Sequence, residues 1–169
     1  MNTEEFRKII KRLQEGDKPA LEQLYKEYFG KIYALALSDI RNSQDAYDIA
    51  MTVILKLSEY RGMADNIENH IGFIIVTTKN AVKDYIRHKK FCVDYDLDQC
   101  NFNIKLVHDD LWLHDILNIL TSEEKEIFVM HIILDKSLKS IAKDYGVSYI
   151  TIKRKYLLIK EKIKHLYQN

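Results

Sequence analysis

The chain has 169 residues, of which 47% are apolar, and its formal net charge is +1. This length allows one ordinary domain or two small ones, and the apolar content excludes a wholly disordered chain. One Pro, five Gly and two Cys exclude a collagen, a loop-rich linker protein and a disulfide scaffold. No apolar run reaches the roughly 18 residues of a bilayer span, and the N-terminus becomes charged at once. We therefore predict no membrane insertion, no signal peptide and a cytoplasmic location.

Charge is distributed unevenly along the chain. Residues 1–90 hold fifteen Lys and Arg against thirteen Asp and Glu, whereas residues 91–110 hold one Lys against five Asp. Residues 111–169 are basic again, with ten Lys and Arg against seven Asp and Glu. We therefore predict two domains, 1–90 and 111–169, joined by an acidic linker at 91–110. Basic residues gather at the end of each domain, which favours a polyanionic partner, although helix C-termini attract cations in any case.

Helical patterns dominate the first domain. Apolar spacing predicts a helix over residues 3–15 that Gly16 ends, and Asp17 is suited to cap the next helix. A third helix starts after Asn42, with Gly62 as its predicted stop. The face of this helix opposite its apolar stripe carries Asp45, Asp48 and Thr52. An aromatic set in the second helix is expected to belong to the core: Tyr25, Tyr28, Phe29 and Tyr33.

Residues 68–90 combine two conflicting signals. The run at 73–78 is rich in β-branched residues and favours a strand by local propensity. The residues that follow are helical in type, and a lone strand among helices would have no partner. We therefore predict one long helix with a basic end.

The second domain contains the pattern of a helix-turn-helix motif, two short helices joined by a tight turn. Ala142 is small enough for close helix approach, Gly146 suits the positive φ of the turn, and Val147 is predicted to be an apolar plug beneath it. Ser148 is predicted to cap the second helix. The exposed face of that helix would then carry Tyr149, Thr151, Lys153, Arg154 and Lys155. A helical hairpin with a solvated basic face is the alternative. Further upstream, residues 121–124 fit a capping box.

Together these motifs give nearly the whole chain a resemblance to bacterial RNA polymerase sigma factors of the sigma-70 family, in the extracytoplasmic-function class. The Asp-Ala-x-Asp stretch at 45–48 and the Asn-x-x-x-Asp helix with a basic tail at 80–90 resemble region two. Residues 120–126 and 140–155 resemble region four. Met51-Thr52 stand where the family usually has Gln-Glu, so the chain resembles a divergent member.

The resemblance implies an all-α fold of two small helical domains and a role for each. The third helix would dock on the clamp helices of the polymerase through Asp45, Asp48 and Thr52. The helix at 68–90 would recognise and melt the minus-ten element through Thr77, Thr78, Lys79, Asn80, Lys83 and Arg87. The last helix would read the minus-thirty-five element through Ser148, Tyr149, Thr151, Lys153, Arg154 and Lys155. The implied partners are core RNA polymerase and promoter DNA, with an anti-sigma factor as a further candidate.

Two other interpretations stay open. One is a stand-alone helix-turn-helix regulator that binds duplex DNA as a dimer, and the other is a sigma-like interaction protein that does not open promoters. The sequence has no Gly-rich phosphate loop, nucleophile elbow or His-Glu-x-x-His motif. The spacing of Cys92, Cys100, His108 and His114 does not match a zinc site. We therefore predict no enzymatic activity, no metal, no cofactor and no small-molecule substrate.

Overall fold

The computed structural model describes residues 2–40, 42–91 and 111–168. The chain divides into two units, Met1–Cys92 and Val93–Asn169. The α-helices of the described residues are α1 (Thr3–Gln14), α2 (Lys18–Ile40), α3 (Ser43–Ser58), α4 (His70–Phe91), α5 (Leu111–Ile119), α6 (Ser122–Phe128), α7 (Leu138–Asp144) and α8 (Tyr149–Leu166). A 3-10 turn at Ala64–Asn66 precedes α4, and a π-helical turn at Val129–Ile133 follows α6.

The all-α prediction is confirmed, since no strand occurs in the ranges that the structure describes. Within the same ranges, no helix has both the length and the apolarity needed to cross a bilayer. The predicted acidic linker at 91–110 lies outside the described residues, except that α4 extends through Phe91.

The first unit begins with a short amphipathic helix whose apolar face is fully used. Phe6, Ile9, Ile10 and Leu13 are all buried. Gly16 ends α1 as predicted, with a φ of +83°. Helix α2 begins directly after Asp17, whose carbonyl accepts the Ala20 N–H at 3.2 Å. The Asp17 side chain accepts a hydrogen bond of 2.7 Å from Arg12 Nε, which ties the loop to α1.

The central helix of the first unit is α2, which packs against α1, α3 and α4. Residues 32–38 are all buried because neighbouring helices cover this part of α2 on several sides. Tyr28 and Tyr33 lie in the core as expected. Tyr25 does not; it is partly exposed and stacks on Phe29 with ring centroids 4.7 Å apart.

Helix α3 starts where the sequence predicts and ends earlier. Asn42 Oδ1 accepts the N–H of Asp45 at 2.9 Å, which caps the start. The helix stops at Ser58, so the prediction that Gly62 ends it is wrong. Gly62 has a different use, because a Cβ there would lie 2.2 Å from the Tyr60 hydroxyl.

Helix α4 includes the run with strand propensity, as the one-helix prediction requires. The residues that α4 buries follow helical spacing: His70, Ile74, Ile75, Thr78, Ala81 and Val82. The hydroxyls of Thr77 and Thr78 donate to the carbonyls of Phe73 and Ile74, both at 2.8 Å. These bonds satisfy the two hydroxyls, and tertiary burial outweighs the β preference of the sequence.

The second unit contains α5 to α8 around a core that includes Ile127, Ile141, Ile152 and Ile159. The predicted capping box is present, with the Thr121 N–H donating to Glu124 Oε2 at 2.8 Å. Asp135, at a φ of +54°, lies in the turn that leads into α7. The sequence patterns did not predict the π-helical turn before it.

Candidate nucleic-acid interface

Helices α7 and α8 form the predicted helix-turn-helix. Gly146 adopts a φ of +63°, and the N–H of Val147 donates to the Ala142 carbonyl at 3.0 Å to close the turn. The prediction that the Val147 side chain is an apolar plug is wrong, because it is 42% exposed. The buried side chains of the motif are instead Ile141, Ala142 and Ile152.

The end of α7 is fixed by a tyrosine. The Tyr145 hydroxyl donates to the Glu126 carboxylate, and Lys136 forms an ion pair with Asp144. Burial, and then the Glu126 carboxylate, raise the pKa of Tyr145. The phenol therefore stays neutral and acts as a hydrogen-bond donor that holds α7 against the helix before it.

Two of the predicted DNA-binding residues start α8. Ser148 Oγ accepts the N–H of Thr151 at 3.2 Å and lies 2.9 Å from the Thr151 hydroxyl. These bonds satisfy part of the helix N-terminus. Ser148 and Thr151 therefore position the helix. A contact with DNA would use the same hydroxyl groups that make these capping bonds.

A third predicted contact, Lys155, has a partner inside the protein. Its ammonium forms an ion pair with Glu123, and Lys162 pairs with Glu124 at 2.7 Å. Burial alone would raise the pKa of Glu124, but hydrogen bonds from Lys162 and Thr121 outweigh it and lower that pKa. We call these two pairs the α6–α8 braces, because they fix α8 to the start of α6.

The remaining predicted residues of α8 lie on its outer surface. Tyr149, Lys153 and Arg154 are all exposed, and no carboxylate among the described residues pairs with Lys153 or Arg154. Arg can bond guanine edges and Lys can neutralise phosphates. The geometry therefore suits an α8 that presents its first two turns to duplex DNA.

The structure separates the predicted minus-ten residues into three groups by their exposure. Asn80, Lys83 and Arg87 are exposed and follow helical spacing along one face of α4. Thr77 and Lys79 are half-buried. The prediction that Thr78 contacts DNA is wrong for this conformation, because its side chain is fully buried and bonded to Ile74.

The predicted polymerase-binding residues also differ in how exposed their side chains are. Asp48 and Thr52 are exposed, with the Thr52 hydroxyl donating to the Asp48 carbonyl at 2.8 Å. The Asp45 side chain is only 18% exposed and lies 2.9 Å from Lys89 Nζ. The hydrogen bond to Asp45 raises the pKa of Lys89, so this pair ties the start of α3 to the end of α4.

Several exposed apolar residues on these faces were missed at the level of sequence. Val76 precedes Asn80 by one turn on α4, and Leu55 follows Thr52 on α3. On α8 the missed residues are Ile150, Leu157 and Leu158. A helical-wheel plot would have found those of α8, because they lie opposite the positions that carry Ile152 and Ile159.

Comparison with known families gives a match within the second unit. Residues 110–163 match the sequence model of the family described as sigma-70, region 4, which is about a third of the chain. This match supports a relationship to the sigma-70 family and a helix-turn-helix DNA-binding role for these residues. A search of curated proteins gave no match.

Groups of three or more side chains able to hold a metal ion are not found in the part of the chain that the structure describes. Of the four residues considered for zinc, Cys92, Cys100 and His108 lie outside that part. His114 instead lies 3.0 Å from the side chain of Asn118, its neighbour one turn along α5.

Proposed function

We propose that this protein is a sigma factor of the extracytoplasmic-function class, which binds core RNA polymerase and directs transcription from particular promoters. The observation that carries the proposal is the match to sigma-70 region 4 on a helix-turn-helix whose second helix has an exposed basic face. Sigma-70 region 4 is associated with both DNA and RNA polymerase. The protein would act in the cytoplasm without catalytic residues or a cofactor of its own.

The first unit would then supply the other two contacts. On α3, Asp48 and Thr52 would contact a basic helical surface of the polymerase. Asp45 would join them only if a cation of the polymerase took the place of Lys89 in its ion pair. On α4, Asn80, Lys83 and Arg87 would hold the opened strand of the minus-ten element, since exposed cations and amides suit a single-stranded backbone. An anti-sigma factor would compete for these same surfaces.

The test is co-elution of the full chain with purified bacterial core RNA polymerase at moderate salt. The wild-type protein should co-elute, and Asp48→Lys should lose the complex because a cation replaces an exposed carboxylate of the docking face. Glu22→Lys makes the same charge change at an exposed position of α2 and should retain it. Failure of the folded wild-type protein to co-elute would contradict the proposal.

A stand-alone helix-turn-helix regulator is the second candidate, because the family match lies wholly within the second unit. Such a regulator should bind duplex DNA as a dimer with two half-sites and without polymerase. A third outcome is stable binding to polymerase with no open complex at any promoter. That result would make the chain a sigma-like interaction protein, and permanganate reactivity of the promoter thymines would reveal it.

A further inference from the structure

The exposed face of α8 is unusually apolar for a helix that carries so many lysines. Ile150, Leu157 and Leu158 are 60%, 49% and 54% exposed. Their spacing of seven and eight residues places them on one side of the helix, with Arg154 between them. We call these four residues the α8 stripe.

None of the residues that the structure describes in the second unit covers the α8 stripe. The opposite side of α8 is already buried through Ile152 and Ile159. A single exposed Leu or Ile is ordinary, but three on one side of a helix around an arginine form a patch that suits a binding surface.

The lysines around the stripe indicate what covers it. Lys153, Lys160 and Lys164 are exposed and follow one another along one flank at helical spacing. On the other flank, Lys155 and Lys162 are held by the α6–α8 braces. Glu161 is the one carboxylate of α8, and the three lysines of this flank have no acidic partners among the described residues. This excess of positive charge favours a polyanion over an apolar protein surface.

We infer that Ile150 is a specificity-determining residue that contacts the methyl group of a thymine in the major groove of duplex DNA. The inference rests on the DNA-binding role proposed above. Ile150 is the second residue of α8, and the first residues of a recognition helix are those that reach base edges. In the major groove only thymine presents a methyl group, and apolar side chains recognise it.

The position of Arg154 adds a constraint on the site that is read. Ile150 and Arg154 are four residues apart, about 6 Å along the helix axis, and stacked bases are about 3.4 Å apart. Arginine pairs best with guanine in the major groove. The preferred duplex should therefore contain a thymine within about two base pairs of a guanine.

The experiment begins with selection from a random duplex library by the full chain, alone and with core polymerase. Each thymine of the selected duplex is then replaced by uracil, which removes only the methyl group. At one position the change should weaken binding by the wild-type protein about threefold to fivefold, the factor expected for one buried methyl. Ile150→Ala should be insensitive to that change, while Ile150→Val should keep part of the sensitivity.

Lys153→Ala is the matched control on the same helix. It should weaken binding to all duplexes alike, because a phosphate contact carries no base information. If Ile150→Ala retains the methyl effect, or if no thymine shows one, the inference is overturned although DNA binding stands. If no duplex is enriched under either condition, the DNA-binding role itself fails, so the two failures are distinguishable.

Discussion

His70 begins α4 in an environment that disfavours its charged form. It is buried with its ring near those of Phe6 and Tyr28, at centroid distances of 5.6 and 6.1 Å. Its Nδ1 lies 2.9 Å from the Thr3 hydroxyl. Burial, and then the positive N-terminus and Lys31, lower the pKa of His70 below its ordinary value of 6.5.

This lowered pKa predicts a loss of stability in acid. The unfolded chain binds the proton more readily than the folded one, so the contribution of neutral His70 is complete above about pH 6.5 and falls as the pH drops below it. Urea denaturation between pH 7.5 and 5 should show a decreasing free energy of unfolding, and His70→Phe should remove that part of the decrease. His165→Gln, at an exposed position, is the control. If the free energy of unfolding of His70→Phe falls with pH as steeply as that of the wild type, His70 is not the cause of the acid sensitivity.

Replacing either of two glycines by alanine should change stability, in opposite directions. Gly146 has a φ of +63°, so Gly146→Ala should destabilise the second unit by about 1–2 kcal/mol. Gly30 lies exposed within α2 and a Cβ there would meet no atom within 4 Å. Gly30→Ala should therefore stabilise the first unit by about 0.5–1 kcal/mol. Chemical denaturation of both variants measures the two effects, and destabilisation by both would contradict this account of α2.

At the scale of elements, the burial of Thr78 separates the fold of α4 from its proposed contacts with DNA. Thr78→Val keeps the shape and removes a hydroxyl that is bonded only within the helix, so stability should change by less than about 1 kcal/mol. Promoter opening should also be unaffected. Asn80→Ala, at an exposed position one turn away from Val76, should reduce opening instead. Equal defects in the two variants, scored by permanganate reactivity, would return Thr78 to the set of DNA contacts.

The sequence predicts the starts of the helices and the turn well, because those features are local. Asn42, Thr121, Ser148 and Gly146 act through residues within four positions of themselves. It predicts less well which side chains are free, because that depends on distant elements. The sequence predicts Lys155 as a DNA contact, but in the structure it forms an ion pair with Glu123 of α6. It predicts Asp45 as a docking residue, but Asp45 forms an ion pair with Lys89 of α4.

Other differences between prediction and structure concern which face of a helix is buried. Thr77 and Thr78 are adjacent residues of the same type, and only the packing of α4 decides which of them is buried. Likewise, Val147 is apolar but exposed, since Ile141 and Ile152 already fill the core at the motif. Tertiary packing decides such cases, and residue type alone does not.

At the scale of the whole molecule, the net charge of +1 provides little long-range attraction to DNA. Binding must therefore depend on local cations that have no internal partner. Lys153→Ala should reduce the slope of log affinity against log salt by about 1. Lys155→Ala should leave that slope nearly unchanged, because Glu123 already neutralises Lys155. Titrations of the selected duplex across salt concentrations measure both slopes, and equal reductions would mean that the Lys155–Glu123 pair opens on DNA.

The α6–α8 braces and the α8 stripe occupy different sides of one helix. Lys155 and Lys162 fix the orientation of α8, whereas Ile150 and Arg154 face outward. Substitutions at the outward positions can therefore alter which sequence is preferred while the helix keeps its place. Such a division would allow the preferred DNA sequence to change through a few point mutations, with no compensating change in the fold. Designed libraries that vary only the outward positions should consequently yield folded proteins with new preferences.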